Sequence, residues 1–304
     1  MNTIQITGLT THYPGRKIPA LRDIELEIPE KTIFAIIGES GAGKTTLAKI
    51  IAGLQGFSEG QVNVMGHKLI PGNKRPHKAF YKDVQYMFQH AALSFNPDFT
   101  CRQVVMEPMR VQHIIRWRRR KTRAMDLLSM VGLERFAKTN SRELSGGQTQ
   151  RLAMARALAM EPGLIIADEV TAGLDTHLKL DVIDLMRRFT QDGLTVVFIT
   201  HELMLAKAAA QYCAVIYRGM VVETGPVSGV LVSPGHPYTR LLLSSSLDLD
   251  NPFRHVPDYD PGLTEDKGCP FMPNCPYKQP DCAELPELSG LKDNRVRCHH
   301  PLHK

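Results

Sequence analysis

The stretch "GESGAGKTT", Gly38 to Thr46, decides how the rest of the chain is read. It fits the pattern G-x-x-x-x-G-K-[ST], and it follows the apolar run Thr32 to Ile37. That run predicts a buried strand, and a helix is expected to open at Gly43 to Leu47 and continue through Leu54. A glycine-rich turn between a strand and a helix aims successive N–H groups at a phosphate, and the helix adds its positive end. Gly38, Gly41 and Gly43 let the backbone curl. Glu39, Ser40 and Ala42 complete the loop with Thr46. Lys44 is placed to reach the β- and γ-phosphates of a nucleotide, and Thr45 to put its hydroxyl on Mg²⁺.

Such a site needs a carboxylate at a neighbouring strand end. "LIIADE", Leu164 to Glu169, supplies one. Asp168 is expected to hold Mg²⁺ through water, and Glu169 to act as general base toward the attacking water. His201 follows the apolar run "TVVFIT" and is a candidate for the γ-phosphate and the attacking water. Gln89 follows "VQYMF" and is a candidate Mg²⁺ ligand that senses the γ-phosphate.

Around these residues the sequence alternates. "IQITGLTTHY", "LRDIELEI" and "GQVNVMG" predict an antiparallel β portion in the first 65 residues or so. Beyond residue 160 come a strand "GLIIAD", a helix "HLKLDVIDLMRRFTQDG", a strand "LTVVFIT", a helix "ELMLAKAAAQY" and a strand pair "CAVIYRGMVVETG". Alternating strands and helices predict a mainly parallel α/β sheet. Helical sequence from about 100 to 160, with "SGGQTQRLAMARALAM" ended by Pro162, interrupts the alternation and predicts a helical subdomain. The texture changes past Pro234, which sets a boundary: an ATPase domain over 1–240 and a C-terminal extension over 241–304.

The 304 residues are 43% hydrophobic and 22% charged, an ordinary globular composition. No apolar run is long enough to span a membrane, and the first residues lack a secretory pattern, so a cytosolic setting is expected. The formal charge of +6 draws partly on "RWRRRKTR", Arg116 to Arg123. That run reads as a solvated helix face. Aromatic residues are not interleaved with it as a single-strand nucleic-acid surface requires, so no nucleic-acid partner is expected.

"LSGGQTQR", Leu144 to Arg151, resembles the signature motif of ATP-binding-cassette (ABC) ATPases, and it precedes "LIIADE" by the short distance typical of them. The resemblance implies that Leu144, Ser145, Gly146, Gly147 and Gln148 complete the nucleotide site of an opposing subunit. "AGLD", Ala172 to Asp175, is similar to the loop that crosses the dimer interface, and Tyr13 matches the aromatic that stacks on adenine. Val170 stands where the family usually has Pro, and "AGLD" and "GGQTQR" are less common forms of their motifs. None of these departures removes a ligand, and a hydrolysis-competent site is expected.

"SPGHPYTRLLLSSS", Ser233 to Ser246, resembles the His-Pro-Tyr-Thr segment of ATPases of dipeptide, oligopeptide and nickel importers, and "SFNPDFT", Ser94 to Thr100, resembles their permease-contacting element. This implies an importer of peptides or related solutes such as nickel chelates. It also implies a second ATPase, by family habit a paralogue, two transmembrane permease subunits and an extracytoplasmic binding protein. The chain would then sit peripherally on the cytoplasmic face of the inner membrane. A cassette ATPase acting as an accessory factor without transport is the alternative. Long insertions of the DNA-acting kind do not fit between Lys44 and Leu144.

Cys269, Cys275, Cys282 and Cys298 give C-x5-C-x6-C-x15-C. A reducing setting disfavours disulfides. The spacing is looser than structural zinc usually shows, and four thiolates also suit a [4Fe–4S] cluster. The ending resembles that of peptide-permease ATPases, some of which carry such a cluster, which implies iron–sulfur ahead of Zn²⁺. His299, His300 and His303 are expected beside the ligands or incidental to them. The extension has too little periodic apolar sequence to build a core unaided, so a metal site is expected to supply its folding energy. Cys213 reads as a core residue, and Cys101 has no partner in sequence.

Overall fold

A computed structural model of the chain describes residues 2–72, 75–112, 117–247, 267–290 and 294–302. His303, Arg116 and most of the Pro- and Asp-rich stretch after Leu247 lie outside the described residues.

A seven-stranded sheet carries the nucleotide motifs. Its strands are β3 (Ile33–Ile37), β6 (Val84–Met87), β7 (Leu164–Asp168), β8 (Thr195–Thr200), β9 (Tyr212–Tyr217), β10 (Met220–Pro226) and β11 (Arg295–Val296), in the order β11-β10-β9-β3-β8-β7-β6. The strands from β9 to β6 are parallel, while β10 and β11 run antiparallel at one edge. A second, antiparallel sheet holds β1 (Asn2–Thr11), β2 (Leu21–Pro29), β4 (Glu59–Val64) and β5 (His67–Leu69), in the order β2-β1-β4-β5.

The parallel strands are apolar on both faces because both are covered. Phe34, Ile36, Leu164, Ile166, Val197 and Ile199 share one core with Ile4 and Leu26 of the antiparallel sheet and with Leu47, Ile50 and Ile51 of helix α1 (Lys44–Ile51). Residues of opposite parity, Ile33, Ile165, Ala167, Val196 and Phe198, share another core with the helical portion. Helix α2 (Phe80–Asp83) precedes β6. The helical portion comprises α3 (Cys101–Val111), α4 (Trp117–Met130) and α5 (Gly146–Leu158), all between β6 and β7. Cys101 is fully buried there, and Thr100 caps α3 with Gln103 closing a capping box. Arg118, Arg119 and Lys121 are exposed, as expected for a solvated basic face. Helices α6 (Thr176–Gln191), α7 (Leu203–Ala209), α8 (Val227–Val230) and α9 (Pro237–Leu247) complete the chain order.

Helix α1 is shorter than the sequence reading. It ends at Ile51 because Gly53 turns left-handed, at φ 65°.

Among the described residues the cysteine-bearing ending forms no core of its own but borrows one. Cys269, Phe271 and Cys282 pack into the core of Ala35, Ile37, Val215, Tyr217, Val222 and Tyr238. Phe271 stacks edge-on to Tyr217 at 5.6 Å and lies 5.6 Å from Tyr238. Strand β11 extends the main sheet by pairing Glu223 with Val296 and Thr224 with Arg295.

Candidate functional site

The parallel register sets the nucleotide site. Strand β3 lies beside β8, and β8 beside β7, so the loops after Ile37, Thr200 and Asp168 open at the same sheet edge. Ligands of open α/β sheets bind at the carboxyl ends of the strands. The loop after β3 curls tightly. A side chain at Gly43, φ 104°, would put its Cβ 2.8 Å from the Ala20 carbonyl, and one at Gly38 would meet the Ile216 carbonyl at 2.3 Å. Only glycine fits either position.

Lys44 is the first residue of α1, and its side chain is 4% exposed. Its ammonium donates to the Gly38 and Glu39 carbonyls, both at 2.8 Å, and lies 3.9 Å from Glu169 Oε1. Burial pulls its pKa below the usual lysine value, and Glu169, Asp168 and Glu39 oppose that pull. Thr45 donates its hydroxyl to Asp168 Oδ1 at 3.2 Å, which joins the two expected Mg²⁺ residues directly.

Glu169 stands at φ 47°, in the left-handed region that a non-glycine residue occupies only at a cost of order 1–3 kcal/mol. Its N–H donates to the Ile199 carbonyl at 3.0 Å, which ties the strained residue to β8. Gln89 Nε2 donates to Glu169 Oε2 at 3.0 Å, and His201 Nδ1 lies 3.7 Å from Oε1. The carboxylate is thus held between Gln89, His201 and Lys44. Val170, which replaces the usual proline, is fully buried in the helical-side core.

Tyr13, Ser40, Gly41, Gly43, Lys44, Thr45, Thr46, Gln89 and Glu169 line one cavity of about 960 Å³, of the size small-molecule sites have. Tyr13 is partly exposed and bonds Thr46 through its hydroxyl at 2.8 Å. Sequence reasoning missed part of this wall: Arg16, Lys17, Arg22, Arg218 and Pro270 line the cavity too. It also missed Tyr86, whose hydroxyl donates to Asp168 Oδ2 at 2.6 Å. Burial raises the Asp168 pKa, and the Tyr86 and Thr45 hydrogen bonds hold it down. Tyr86 sits in the run "VQYMF", whose only sequence signal was a strand pattern.

None of Leu144 to Gln148 and not Asp175 lines this cavity among the described residues. Ser145 caps α5, accepting from the Gln148 N–H at 3.4 Å, while Gln148 Oε1 accepts from the Ser145 N–H at 3.0 Å. Asp175 stands at the N-cap of α6. Gly146 and Gly147 pack against Leu174 and Leu178, where an added Cβ would come within 3.3 and 3.0 Å. At the signature helix start Ser145 and Gly146 are exposed and Gly147 is buried, and none of them lines the phosphate-loop cavity.

A second, nearly closed cavity of about 10 Å³ collects the C-terminal thiols. Cys269, Cys275, Cys282 and Cys298 all line it, with His236, His299 and His300. The "HPYT" segment is anchored from below by Glu223, which is fully buried on β10. Its two oxygens accept from the Gly235 N–H at 2.7 Å and the His236 N–H at 3.0 Å. His236 is 1% exposed, and its Nδ1 accepts from the Tyr238 N–H at 3.0 Å. The ring proton therefore falls on Nε2, which faces the Arg297 backbone without a hydrogen bond of ordinary geometry. Burial takes the His236 pKa down to about 3, against a smaller opposing effect of the Arg297 backbone, so the ring is neutral at pH 7. Burial pushes the Cys298 thiol up to about 11, and raises Cys269 and Cys275 as well. His300 Nε2 bonds both Asp281 oxygens, at 2.8 and 2.9 Å, beside Cys282.

Residues 21–172 match the ABC transporter family, and residues 222–282 match the C-terminal region of oligopeptide/dipeptide transporters. The chain is 33% identical to the oligopeptide transport ATP-binding protein OppF of Escherichia coli (strain K12), over 97% of this chain and 95% of that one. It is 33% identical to a probable peptide ABC transporter ATP-binding protein, y4tS, of Sinorhizobium fredii, over 97% and 89%. Among solved structures, the cassette MJ0796, a dimer bound to ADP and Pi, matches with a TM-score of 0.65 at 30% identity, over 74% of this chain and 98% of that one.

Tyr86→Phe should leave the fold intact and remove one hydrogen bond that favours ionised Asp168. The Asp168 pKa then rises, so the carboxylate stays protonated to higher pH. Measured at several Mg²⁺ concentrations, the variant should need several-fold more Mg²⁺ for half-maximal ATP hydrolysis, and the acid limb of its pH profile should move upward.

Proposed function

This chain belongs to the ABC transporter family, and from that membership we propose that it is the ATP-hydrolysing subunit of an importer of peptides. The observation that carries the reading is the meeting of Lys44, Thr45, Asp168, Gln89, Glu169 and His201 at one end of the parallel sheet. The C-terminal match to oligopeptide/dipeptide transporters supports the peptide branch. So do the relatives, which are named as peptide and oligopeptide transport ATP-binding proteins.

In this reading Lys44 and the loop N–H groups hold the β- and γ-phosphates, and Tyr13 packs on the base. Thr45, Asp168 and Gln89 hold Mg²⁺, which neutralises phosphate charge. Glu169 takes the proton of a water as its oxygen bonds the γ-phosphorus and the bond to the ADP oxygen breaks. His201, beside the same carboxylate, holds the γ-phosphate. Leu144 to Gln148 and Asp175 act toward the cavity of a facing ATPase, of which a paralogue is the expected kind. Their capped, exposed helix start supports that assignment. Closure of the two ATPases around ATP favours one state of two permease subunits, and hydrolysis releases it. An extracytoplasmic binding protein delivers the solute. Among the described residues no helix is long and apolar enough to cross a membrane. Attachment at the cytoplasmic face of the inner membrane therefore runs through the permease, with Ser94 to Thr100 as its contact.

The boundary near residue 240 divides functions: the cassette before it, a thiol site after it. The donor set fits a [4Fe–4S] cluster held by Cys269, Cys275, Cys282 and Cys298. The four thiols line one cavity, together with His236. Tetrahedral zinc with Zn–S bonds near 2.3 Å brings its sulfurs to roughly 3.8 Å apart. Among the described residues the set whose ligand atoms come within 4.8 Å is Asp281, Cys282 and His300, which keeps Zn²⁺ as the alternative occupant. When bound, the cluster would supply thiolate–metal bonds that tie the segments of the ending to one another beside β11.

Two measurements test these readings. Glu169→Gln should bind ATP with unchanged affinity and lower kcat by about 10²–10⁴-fold in the assembled transporter. Loss of ATP binding would count against a general base. Protein purified without oxygen should contain iron and acid-labile sulfide in equal amounts, with a visible absorption band. A colourless protein with one zinc would overturn the cluster assignment.

A further inference from the structure

The C-terminal ending reaches the nucleotide cavity at two points. Pro270, bonded to Cys269, lines that cavity directly. Arg297, bonded to Cys298, supports its wall from behind. The Arg297 side chain is 2% exposed and every polar bond it makes is to the cassette or to the ending's own turn. Nε donates to the Val221 carbonyl at 3.2 Å. One terminal nitrogen donates to Asp23 Oδ2 at 3.0 Å and to the Pro286 carbonyl at 3.3 Å. The other donates to the Asp23 carbonyl at 3.1 Å.

Asp23 and Val221 are the immediate neighbours of Arg22 and Met220, both in the cavity wall. The wall is joined onward to the phosphate loop. The Arg22 N–H donates to the Gly219 carbonyl at 2.8 Å, and the Gly219 N–H donates to the Ala42 carbonyl at 2.9 Å. Asp23 itself sits at φ 45°, a conformation that a non-glycine residue keeps only when neighbours fix it. A planar guanidinium offers its donors in a rigid fork, so one Arg297 position satisfies all four acceptors together.

We infer that Arg297 is a positioning residue for the nucleotide, and that Pro270 and Arg297 together link the thiol site to ATP affinity. The inference rests on the reading of the Lys44 cavity as the ATP site. Displacing the Cys269 or Cys298 backbone moves Pro270 or Arg297, and with them the wall formed by Arg22 and Met220. Coupling of this kind is reciprocal: a filled nucleotide cavity must steady the thiol segment by the same factor.

The test uses the full chain as isolated. A fluorescent ATP analogue titrated into wild type and into Arg297→Lys, which keeps the charge and loses the fork, should bind at least about fivefold more weakly to the variant. In the assembled transporter the ATP KM should rise while kcat holds. A variant with wild-type affinity would overturn the inference.

The reciprocal arm needs no variant. Deuterium labelling of backbone amides in wild type, resolved by mass spectrometry for the peptide around each cysteine, should slow several-fold at Cys269 and Cys298 when MgATP is bound. Cys101 and Cys213, fully buried in the cassette core, report general stabilisation. Their labelling should change less. Equal slowing at all these cysteines, or none, would overturn the coupling even if ATP binds. Failure of the wild type to bind the analogue would instead overturn the ATP site itself.

Discussion

The structure is organised around one buried ammonium, that of Lys44. A lysine removed from water needs either carbonyls and carboxylates around it or an anion to meet. Here two loop carbonyls and the distant edge of Glu169 surround it, and burial lowers its pKa. The loop curls because Gly43 adopts a backbone closed to other residues and Gly38 passes against a carbonyl. The parallel pairing of β3, β8 and β7 then delivers Asp168, Glu169 and His201 to the same place. The strained Glu169 backbone, pinned to Ile199, aims its carboxylate between Lys44, Gln89 and His201.

A second buried charge organises the C-terminal ending. Glu223 is raised in pKa by burial, and two backbone N–H donors from Gly235 and His236 offset part of that cost. This gives "HPYT" a physical role: its backbone satisfies a carboxylate that the main sheet has buried. The same strand carries Val222 and pairs with β11, so the ending is fixed to the sheet on which the nucleotide loop stands. Burying Phe271 against Tyr217 and Tyr238 contributes on the order of 1.5–3 kcal/mol toward holding it there.

Much of the cassette was legible from local pattern. The phosphate loop announces itself by spacing, and the strands by runs such as "LIIAD" whose burial on both faces leaves no polar alternation. The strand pair of β9 and β10 is readable because Arg218 and Gly219 interrupt two apolar runs. What escaped was long-range. Tyr86 gains its meaning only because β6 pairs with β7 in a register that sets it beside Asp168. Pro270 and Arg297 reach the nucleotide wall across more than 200 residues of chain, which no period can show. The expectation that Ser145 serves a facing subunit came from the resemblance to ABC ATPases alone, because the pattern of one chain does not show its neighbour.

In the proposed function the cavity around Lys44 binds ATP alone but hydrolyses it only when a second ATPase presents its signature helix. Ser145→Arg, tested in the assembled transporter and in the isolated chain, addresses it most directly. The account predicts unchanged nucleotide affinity for the isolated variant, since Ser145 does not line its own cavity. It also predicts that ATP hydrolysis in the complex falls by about 10²-fold or more, the scale of losing phosphate-directed donors in the transition state. Weakened nucleotide binding by the isolated variant, or full hydrolysis by the variant complex, would contradict it.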